Sequence, residues 1–371
     1  MTISKLECWV LRAPIPVPVA TAFGAMSSRP ALFLRVSASD GAWGWGEVFC
    51  NFPQVGAEHR ARLIDSMFCA LVHGRPSDDP PQLRGELEEE TRRMAIQCGE
   101  PGPFAQVISA IDQALWDLCA RRAGLPLWKL LAGDEGAGNR VRVYASGLGP
   151  DQVVETALRK KAEGFTAFKF KVGFGPQRDV ANFSDLRAAL GSQATIMVDA
   201  NQAWTPATAA ARIAELAGFQ PLWVEEPLAA DEPIEHWLDL ARDCGLPLAA
   251  GENMRGLGAF QQALAAGYLS FVQPDVAKWG GISACREVAL AARQHRAVFC
   301  PHWLGGGIGL AASMHLRAAM GADGFAELDA NPNPLREEVF APLVHEGWVT
   351  LSDSPGLGVE PDLQRLSRFL T

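Results

Sequence analysis

Val198-Asp199-Ala200-Asn201 closes a short apolar run on a carboxylate, and the chain repeats the arrangement at Trp223-Val224-Glu225-Glu226-Pro227 and at Ala250-Gly251-Glu252-Asn253. Asp199, Glu225 and Glu252 stand 26 and 27 residues apart, close to one strand-plus-helix unit of an eight-unit barrel of about 250 residues. On either side the same texture continues. Short apolar runs near 141–145, 167–172, 195–198, 222–224, 247–250, 270–272, 297–300 and 324–326 alternate with Ala- and Leu-rich helical stretches, the pattern of parallel βα units. Eight such strands predict a closed barrel. A doubly wound open sheet gives the same alternation, so the polar residues at the strand ends carry more of the decision.

In a barrel those ends ring one mouth, and three carboxylates sharing it repel one another strongly enough to call for a counter-ion. No Cys or His is interleaved among the three positions. An oxygen-only donor set favours Mg²⁺, with Mn²⁺ as a substitute, over Zn²⁺. A single Asp or Glu after a strand more often caps the next helix or faces solvent; the triple at regular spacing is far more specific. Glu226 adjoins Glu225 and competes for its role, with strand alternation allowing one of the two to face inward.

One unit before these carboxylates, Phe168-Lys169-Phe170-Lys171-Val172 sets two lysines at alternate positions of an expected strand, so both face one side. An isolated pair of this kind reads as an exposed edge. Here three carboxylates and one divalent cation leave a net negative charge, and the lysines supply the positive groups that an anionic substrate needs. Crowding by like charge depresses a lysine pKa, which suits Lys171 to accept a proton. Beyond the carboxylates, Gln273-Pro274-Asp275, Cys300-Pro301-His302 and Ala326-Glu327-Leu328 again close apolar runs on polar residues. Asp275 and His302 fall on neighbouring strands, where the carboxylate can orient the imidazole and raise its pKa for acid–base work. A lone His302 would read as structural; its match with Asp275 argues for catalysis. A Schiff-base aldolase built on Lys171 is the rival enzyme class, and it leaves the three carboxylates unexplained.

The first third reads differently, with strands expected at 3–11, 31–36 and 42–48 and then helical spacing of apolar residues over 105–118, ended by Gly124. The tail from Asn331, with Pro332, Pro334, an apolar run at 348–351, Gly356 and Gly358, breaks the βα repeat and is expected to fold back on the N-terminal module. A chain of 371 residues, 48% apolar and 20% charged, is large enough for a barrel plus a second module. A net charge of −9 without Lys/Arg clusters argues against nucleic acid. No stretch approaches the roughly 18 apolar residues of a membrane span, and the first residues lack a secretory apolar core; no membrane partner and a cytoplasmic location are expected. The eight cysteines form no CxxC pair, and most read as buried thiols.

With these pieces in order, the chain resembles the enolase superfamily, and within it the mandelate racemase subgroup of the mandelate racemase/muconate lactonizing enzyme family. The resemblance spans nearly the whole chain. It rests on Gly44-Trp45-Gly46-Glu47, Lys169-x-Lys171, Asp199-x-Asn201, Glu225-Glu226-Pro227, Gly251-Glu252-Asn253, Pro274-Asp275 with Lys278 and Gly280-Gly281, His302, and Glu327. It implies an α/β fold, a modified TIM barrel of (β/α)7β type over residues 136–328. An α+β capping domain is implied from residues 1–135, completed by 329–371. It implies Mg²⁺ on Asp199, Glu225 and Glu252, with Lys171 and the Asp275–His302 pair as acid–base groups on opposite faces of the substrate. Lys169 would bind the substrate carboxylate, Glu327, protonated or sharing a proton, would donate to it, and Asn201 would contact the substrate or an oxygen on the metal. In the muconate-lactonizing branch a lysine stands where this chain has Asp275, which sets the chain apart from that branch.

The implied reaction removes the proton α to a carboxylate to give an enediolate. β-Elimination from an acid sugar or its lactone is expected to follow, as in a dehydratase or cycloisomerase. Racemisation or epimerisation of a 2-hydroxy acid by two bases is the alternative, and a catalytically idle metal-binding barrel the non-enzyme one. Residues 147–150, 173–176 and 328–336 look most like acid-sugar lactone cycloisomerases and related dehydratases. The loop 17–29, holding Thr21, Phe23, Ser27, Ser28 and Arg29, is expected over the barrel mouth, with Arg29 either reading a distal carboxylate or lying on the surface. The run Gly305-Gly306-Gly307 suits a tight strand-to-helix turn. The expected partners are a small carboxylate substrate and further copies of the chain in a homo-oligomer.

Overall fold

The computed structural model describes residues 1–21, 24–133, 138–321 and 323–371. Its N-terminal module is an antiparallel sheet of β1 (Ile3–Thr21), β2 (Gly24–Ala38) and β3 (Trp43–Val48), covered by helix Pro101–Ala123, against which helix Pro80–Gln97 packs. β1 and β2 run well past the strands expected at 3–11 and 31–36, and the loop expected at 17–29 is the far end of this ribbon. Pro14, Pro16 and Pro18 explain the difference. Alternating with Ile15, Val17 and Val19, they hold φ in the extended range, and the ladder answers with a register shift between Pro14 and Val19. Phe23 and the side chain of Thr21 lie outside the described residues.

The Gly-Trp-Gly-Glu segment is β3, and its alternate residues serve opposite faces. A Cβ on Gly44 would stand 2.0 Å from the Ala114 carbonyl oxygen, and one on Gly46 2.0 Å from that of Ala110. Only glycine lets the Pro101–Ala123 helix lie directly on the strand. Trp45 and Glu47 point away from that helix axis; Trp45 gives its indole N–H to Glu360 in the tail at 3.0 Å. The helix begins with proline at its first position, where a missing N–H costs nothing, and ends at Gly124, whose φ of 65° makes the left-handed cap.

Eight parallel strands follow: β4 (Arg140–Leu148), β5 (Ala167–Lys171), β6 (Thr195–Asp199), β7 (Val224–Glu225), β8 (Leu248–Ala250), β9 (Phe271–Val272), β10 (Val298–Phe299) and β11 (Ala326–Asp329). β4 to β10 hydrogen-bond in sequence order, and β11 returns to pair with β4. β11 meets β10 where the Phe325 N–H reaches Cys300 Sγ. Among the described residues seven helices connect the strands, from Val153–Ala162 to Gly307–Ala319, and β11 is followed directly by the short helix Pro334–Glu337 rather than an eighth full helix. The architecture is therefore a modified TIM barrel, (β/α)7β. Below the mouth Tyr144, Met197, Trp223 and Phe325 fill its interior.

The tail touches both modules rather than the capping one alone. β13 (Trp348–Thr350), in a hairpin with β12 (Val344–His345), pairs antiparallel with the start of β4. Farther on, Gly356 exchanges backbone bonds with Leu125 and Leu127, and Leu370 bridges to Leu11. The expected boundary at 135/136 falls outside the described residues. Among the described residues no helix is long and apolar enough to cross a membrane.

Candidate active site

Parallel pairing brings polar side chains from successive strand ends to one mouth. Lys171 is in register with Asp199, and Asp199 with Glu225, across β5, β6 and β7. β4 adds Ser146, β11 adds Glu327, and the turns after β8, β9 and β10 add Glu252, Asp275 and His302. Lys169, Asp199, Glu225, Asp275, His302 and Glu327 are all buried.

Lys169 Nζ lies 2.5 Å from Glu225 Oε1, 3.0 Å from Glu327 Oε1 and 3.6 Å from Asp199 Oδ2, above the Tyr144 ring. Lys171 Nζ lies 2.6 Å from Asp199 Oδ2. Burial pulls Lys171 downward, and the Lys169 charge adds to that as expected, but Asp199 outweighs both and holds the ammonium above its ordinary range. The ion pair with Asp199, itself one of the carboxylates expected to hold the cation, opposes the depression expected from charge crowding.

His302 Nδ1 lies 2.6 Å from Asp275 Oδ2. The other Asp275 oxygen accepts the N–H groups of Ala277 at 2.8 Å and Lys278 at 3.2 Å, which fixes the carboxylate. With Nδ1 donating to Asp275, Nε2 faces the mouth, in contact with Glu252 and 3.8 Å from Glu327. Burial disfavours the charged imidazole, yet Glu252 and Glu327 push it up to about 10.

Six carboxylates, Asp199, Glu225, Glu226, Glu252, Asp275 and Glu327, face four cationic groups, Lys169, Lys171, Lys278 and His302. Fully ionised, the set falls two positive charges short of neutrality. The shortfall is felt at Glu225 and Glu226, pushed up to about 7 and about 8 by burial first, with neighbouring carboxylates adding to it. A divalent cation among Asp199, Glu225 and Glu252 would supply those charges, and the all-oxygen donor set fits Mg²⁺. In this structure each of the three is turned to a protein cation instead, and among the described residues no three acidic, His or Cys side chains form a ready cage.

Glu226 departs from the expectation that alternation keeps one of the Glu pair out. β7 ends at Glu225, and Glu226 takes a φ of 39°, so the chain turns and buries this carboxylate too. Asn253 Nδ2 holds it at 2.9 Å. Glu327 departs from the proton assigned to it: burial raises its pKa, but Lys169 and His302 together bring it below the ordinary range, favouring the carboxylate. Asn201 braces Asp199, giving its backbone N–H to Oδ1 at 2.8 Å.

Arg29 is the clearest correction. It is 2% exposed, with its guanidinium 2.6 Å from Asp329 Oδ2 and its Nε–H on the Pro332 carbonyl at 3.2 Å. It ties β2 to the end of β11 and is not displayed to a ligand. Sequence reasoning missed Ser146, which donates to Glu327, and the inward hydrogen bonds of Trp223 and Gln273 to Glu225 at 3.1 and 2.6 Å. Ser146 had a signal, being a polar residue closing the first barrel run.

The enolase C-terminal domain-like model matches residues 152–365, and the mandelate racemase/muconate lactonizing enzyme N-terminal domain model matches residues 5–132. A D-galactarolactone cycloisomerase of Agrobacterium fabrum is 30% identical over 100% of this chain and 99% of its own length. A D-galactonate dehydratase of Verminephrobacter eiseniae is 31% identical over 89% of this chain and 88% of its own. Among solved structures, a mandelate racemase/muconate lactonizing enzyme of Bordetella bronchiseptica superposes with a TM-score of 0.92 at 48% identity, over 99% of each chain. A racemase of Streptomyces coelicolor with bound magnesium gives 0.90 at 30% identity, over 100% of each.

Proposed function

The chain belongs to the mandelate racemase/muconate lactonizing enzyme family of the enolase superfamily, and on that premise we propose that it removes the proton α to a substrate carboxylate and then expels a β-oxygen from an acid sugar or its lactone. The observation that carries this reading is the placement of two proton-transfer groups around one carboxylate-lined mouth. Lys171 ends β5 and His302 follows β10; two strands separate them one way round the barrel and four the other.

Asp199, Glu225 and Glu252 are proposed to hold Mg²⁺, with Mn²⁺ as a substitute. Bound there, the cation supplies positive charge to the substrate carboxylate. Lys169, already surrounded by Asp199, Glu225 and Glu327, is placed to meet the second negative charge that appears on that carboxylate when the proton leaves. Lys171 and His302 serve opposite faces. Asp199 and Glu252 hold both groups protonated and would be drawn away from them by a bound cation; the one so made neutral takes the α-proton, and the other, protonated, delivers a proton to the departing β-oxygen or back to carbon. Asp275 keeps His302 in one tautomer with Nε2 toward the substrate, and Asn201 orients Asp199 beside it. If no β-oxygen leaves, the same two groups make a racemase or epimerase, which is the second reading.

Incubation of the Mg²⁺-loaded enzyme with galactarolactone, galactonate and a wider set of acid sugars in D₂O, followed by NMR, tests the proposal. The expected result is deuterium at the β-carbon, taken up as the enol left by β-elimination becomes a 2-keto acid with the β-oxygen expelled or the ring opened, stopped by EDTA. Lys171→Ala and His302→Asn are each expected to stop turnover with Mg²⁺ binding intact. An epimer with its β-oxygen retained would select the second reading, and no deuterium in any acid sugar would overturn both.

A further inference from the structure

At the end of the barrel away from the catalytic mouth, helix Gly281–Gln294, the start of β10 and the end of helix Gly307–Ala319 enclose a cavity of about 840 Å³. Arg286, Arg293, Arg296 and Arg317 line it, and Asp323 is the only acid among its described lining. In a chain of net charge −9, such a concentration is not inherited from composition.

Helix ends account for part of it. Arg293 and Arg317 sit in the last turns of their helices, where a cation offsets the negative end of the dipole. That account does not reach Arg286, in the middle of its helix, or Arg296, beyond it. Nor does it satisfy Arg317, which is 3% exposed and has the Gly321 carbonyl at 2.8 Å but no carboxylate within ion-pair distance among the described residues. Arg29 is matched by Asp329 at 2.6 Å and Arg121 by Asp117 at 2.9 Å, whereas Arg60 and Arg187 are held by neutral acceptors, the Gln106 side chain and backbone carbonyls. The Arg286 Nε atom is buried with no acceptor among the described residues. Asp323 supports the Arg317 charge only from beyond ion-pair distance, a buried guanidinium so weakly countered is costly, and an anion in the cavity would reduce that cost.

We propose that this cavity binds a small phosphorylated metabolite, its phosphate held by Arg286 and Arg296 with Arg317 behind them, at a site separate from the catalytic mouth. Arg286 and Arg296 lie beyond the reach of the helix ends, and two guanidiniums suit a dianion. The planar fork of arginine fits phosphate oxygens two at a time. The volume lies in the range of pockets that take organic ligands of about 300–1,000 Å³, and Leu290 and Met320 on its wall offer apolar surface to the organic part.

Glucose 6-phosphate is a suitable probe, because it has no carboxylate for the catalytic mouth; inorganic phosphate and glucose complete the set. Titration calorimetry of the full-length Mg²⁺-loaded protein at fixed ionic strength should give saturable binding of glucose 6-phosphate, competed by phosphate and absent with glucose. Arg286→Ala/Arg296→Ala should weaken it by at least about tenfold, the loss of one or two charge-assisted bonds, while Lys171→Ala leaves it unchanged. Arg296 is exposed and Arg286 half-buried, so the double variant should fold, which circular dichroism checks. No saturable binding up to about 10 mM, binding that survives the double variant, or binding lost in Lys171→Ala would overturn the proposal. Binding of inorganic phosphate alone would overturn the metabolite.

Discussion

The carboxylate of Glu47 accepts the backbone N–H of Gly306 at 2.5 Å, and its second oxygen accepts that of Gly309 at 2.9 Å. A strand of the capping sheet thereby caps the barrel helix that follows His302, satisfying N–H groups that a helix start leaves open. The same module grips the other half of the dyad. Gln113 donates to the Val276 carbonyl at 2.9 Å, next to Asp275, and Asp112 accepts the Ser283 N–H at 2.9 Å.

Glu47→Ala strands two buried N–H groups, at about 1–3 kcal/mol each. A stability loss of about 2–6 kcal/mol in urea melts is expected, with faster hydrogen exchange at Gly306 and Gly309. Glu47→Gln keeps one acceptor and should lose less. Burial pushes Glu47 from its ordinary 4.5 up to about 7. A raised folded-state pKa contributes stability that is present below about pH 4.5 and lost as pH rises through about 7. Glu47→Gln should remove that part of the slope, and an unchanged slope would refute the assignment.

Arg29 and Asp329 form a buried pair, and removing one partner of such a pair costs about 3–5 kcal/mol. Arg336 lies 3.7 Å from the same Asp329 oxygen, so Arg29→Met should fall at the lower end, about 3 kcal/mol. Its KM for any acid sugar turned over should stay within about twofold, because no substrate contact is lost. A raised KM with unaltered stability would return Arg29 to the role its sequence position suggested.

Asp275→Asn keeps the shape of the dyad but replaces an acceptor by an amide that can present N–H to the imidazole, favouring the wrong tautomer. By analogy with a serine-protease triad, where the same change costs about 10⁴ in kcat, a loss of about 10³–10⁴ is expected with folding and Mg²⁺ binding intact. Steady-state kinetics beside metal titration measures both. A loss under tenfold would show that His302 is oriented by something else.

The barrel and its ring of charges were legible because each depends on short-range pattern. An apolar run ending on Asp199, Glu225 or Glu252 announces both a strand and what stands at its mouth. The ribbon was misread at Pro14, Pro16 and Pro18, where turn-rich composition disguised an extended backbone. Glu226 was misread because alternation stops with the strand, one residue earlier. The Glu47 clasp was out of reach for another reason: the Gly-Trp-Gly-Glu segment and the 305–307 glycines are each visible, but a contact across more than 250 residues leaves no local trace of its partner. Arg29 has the same difficulty, since an exposed ligand contact and a buried ion pair look alike in one sequence.

His315, on the helix Gly307–Ala319, joins three segments: its Nδ1 accepts the Trp128 N–H at 3.0 Å and its Nε2 donates to the Leu357 carbonyl at 3.1 Å. Only the neutral ring with hydrogen on Nε2 can do both. Burial lowers its pKa from 6.5 to about 4, so between those values the unfolded chain binds more protons than the folded one, and stability rises with pH across the window. On acidification from pH 6.5 to 4, the ring should cost about 3 kcal/mol, at about 1.4 kcal/mol per unit. Glu47, and Asp112 and Asp117, each pushed up to about 6 by burial, slope the other way. The wild-type curve is therefore a sum, and the informative quantity is its difference from His315→Gln, whose amide can donate to Leu357 and accept from Trp128 without titrating. Urea melts at half-unit steps should show that difference growing as pH falls, with the variant gaining on the wild type. Parallel curves would mean that His315 takes up its proton inside the fold at its ordinary pKa, and that the tail is not held through the neutral ring.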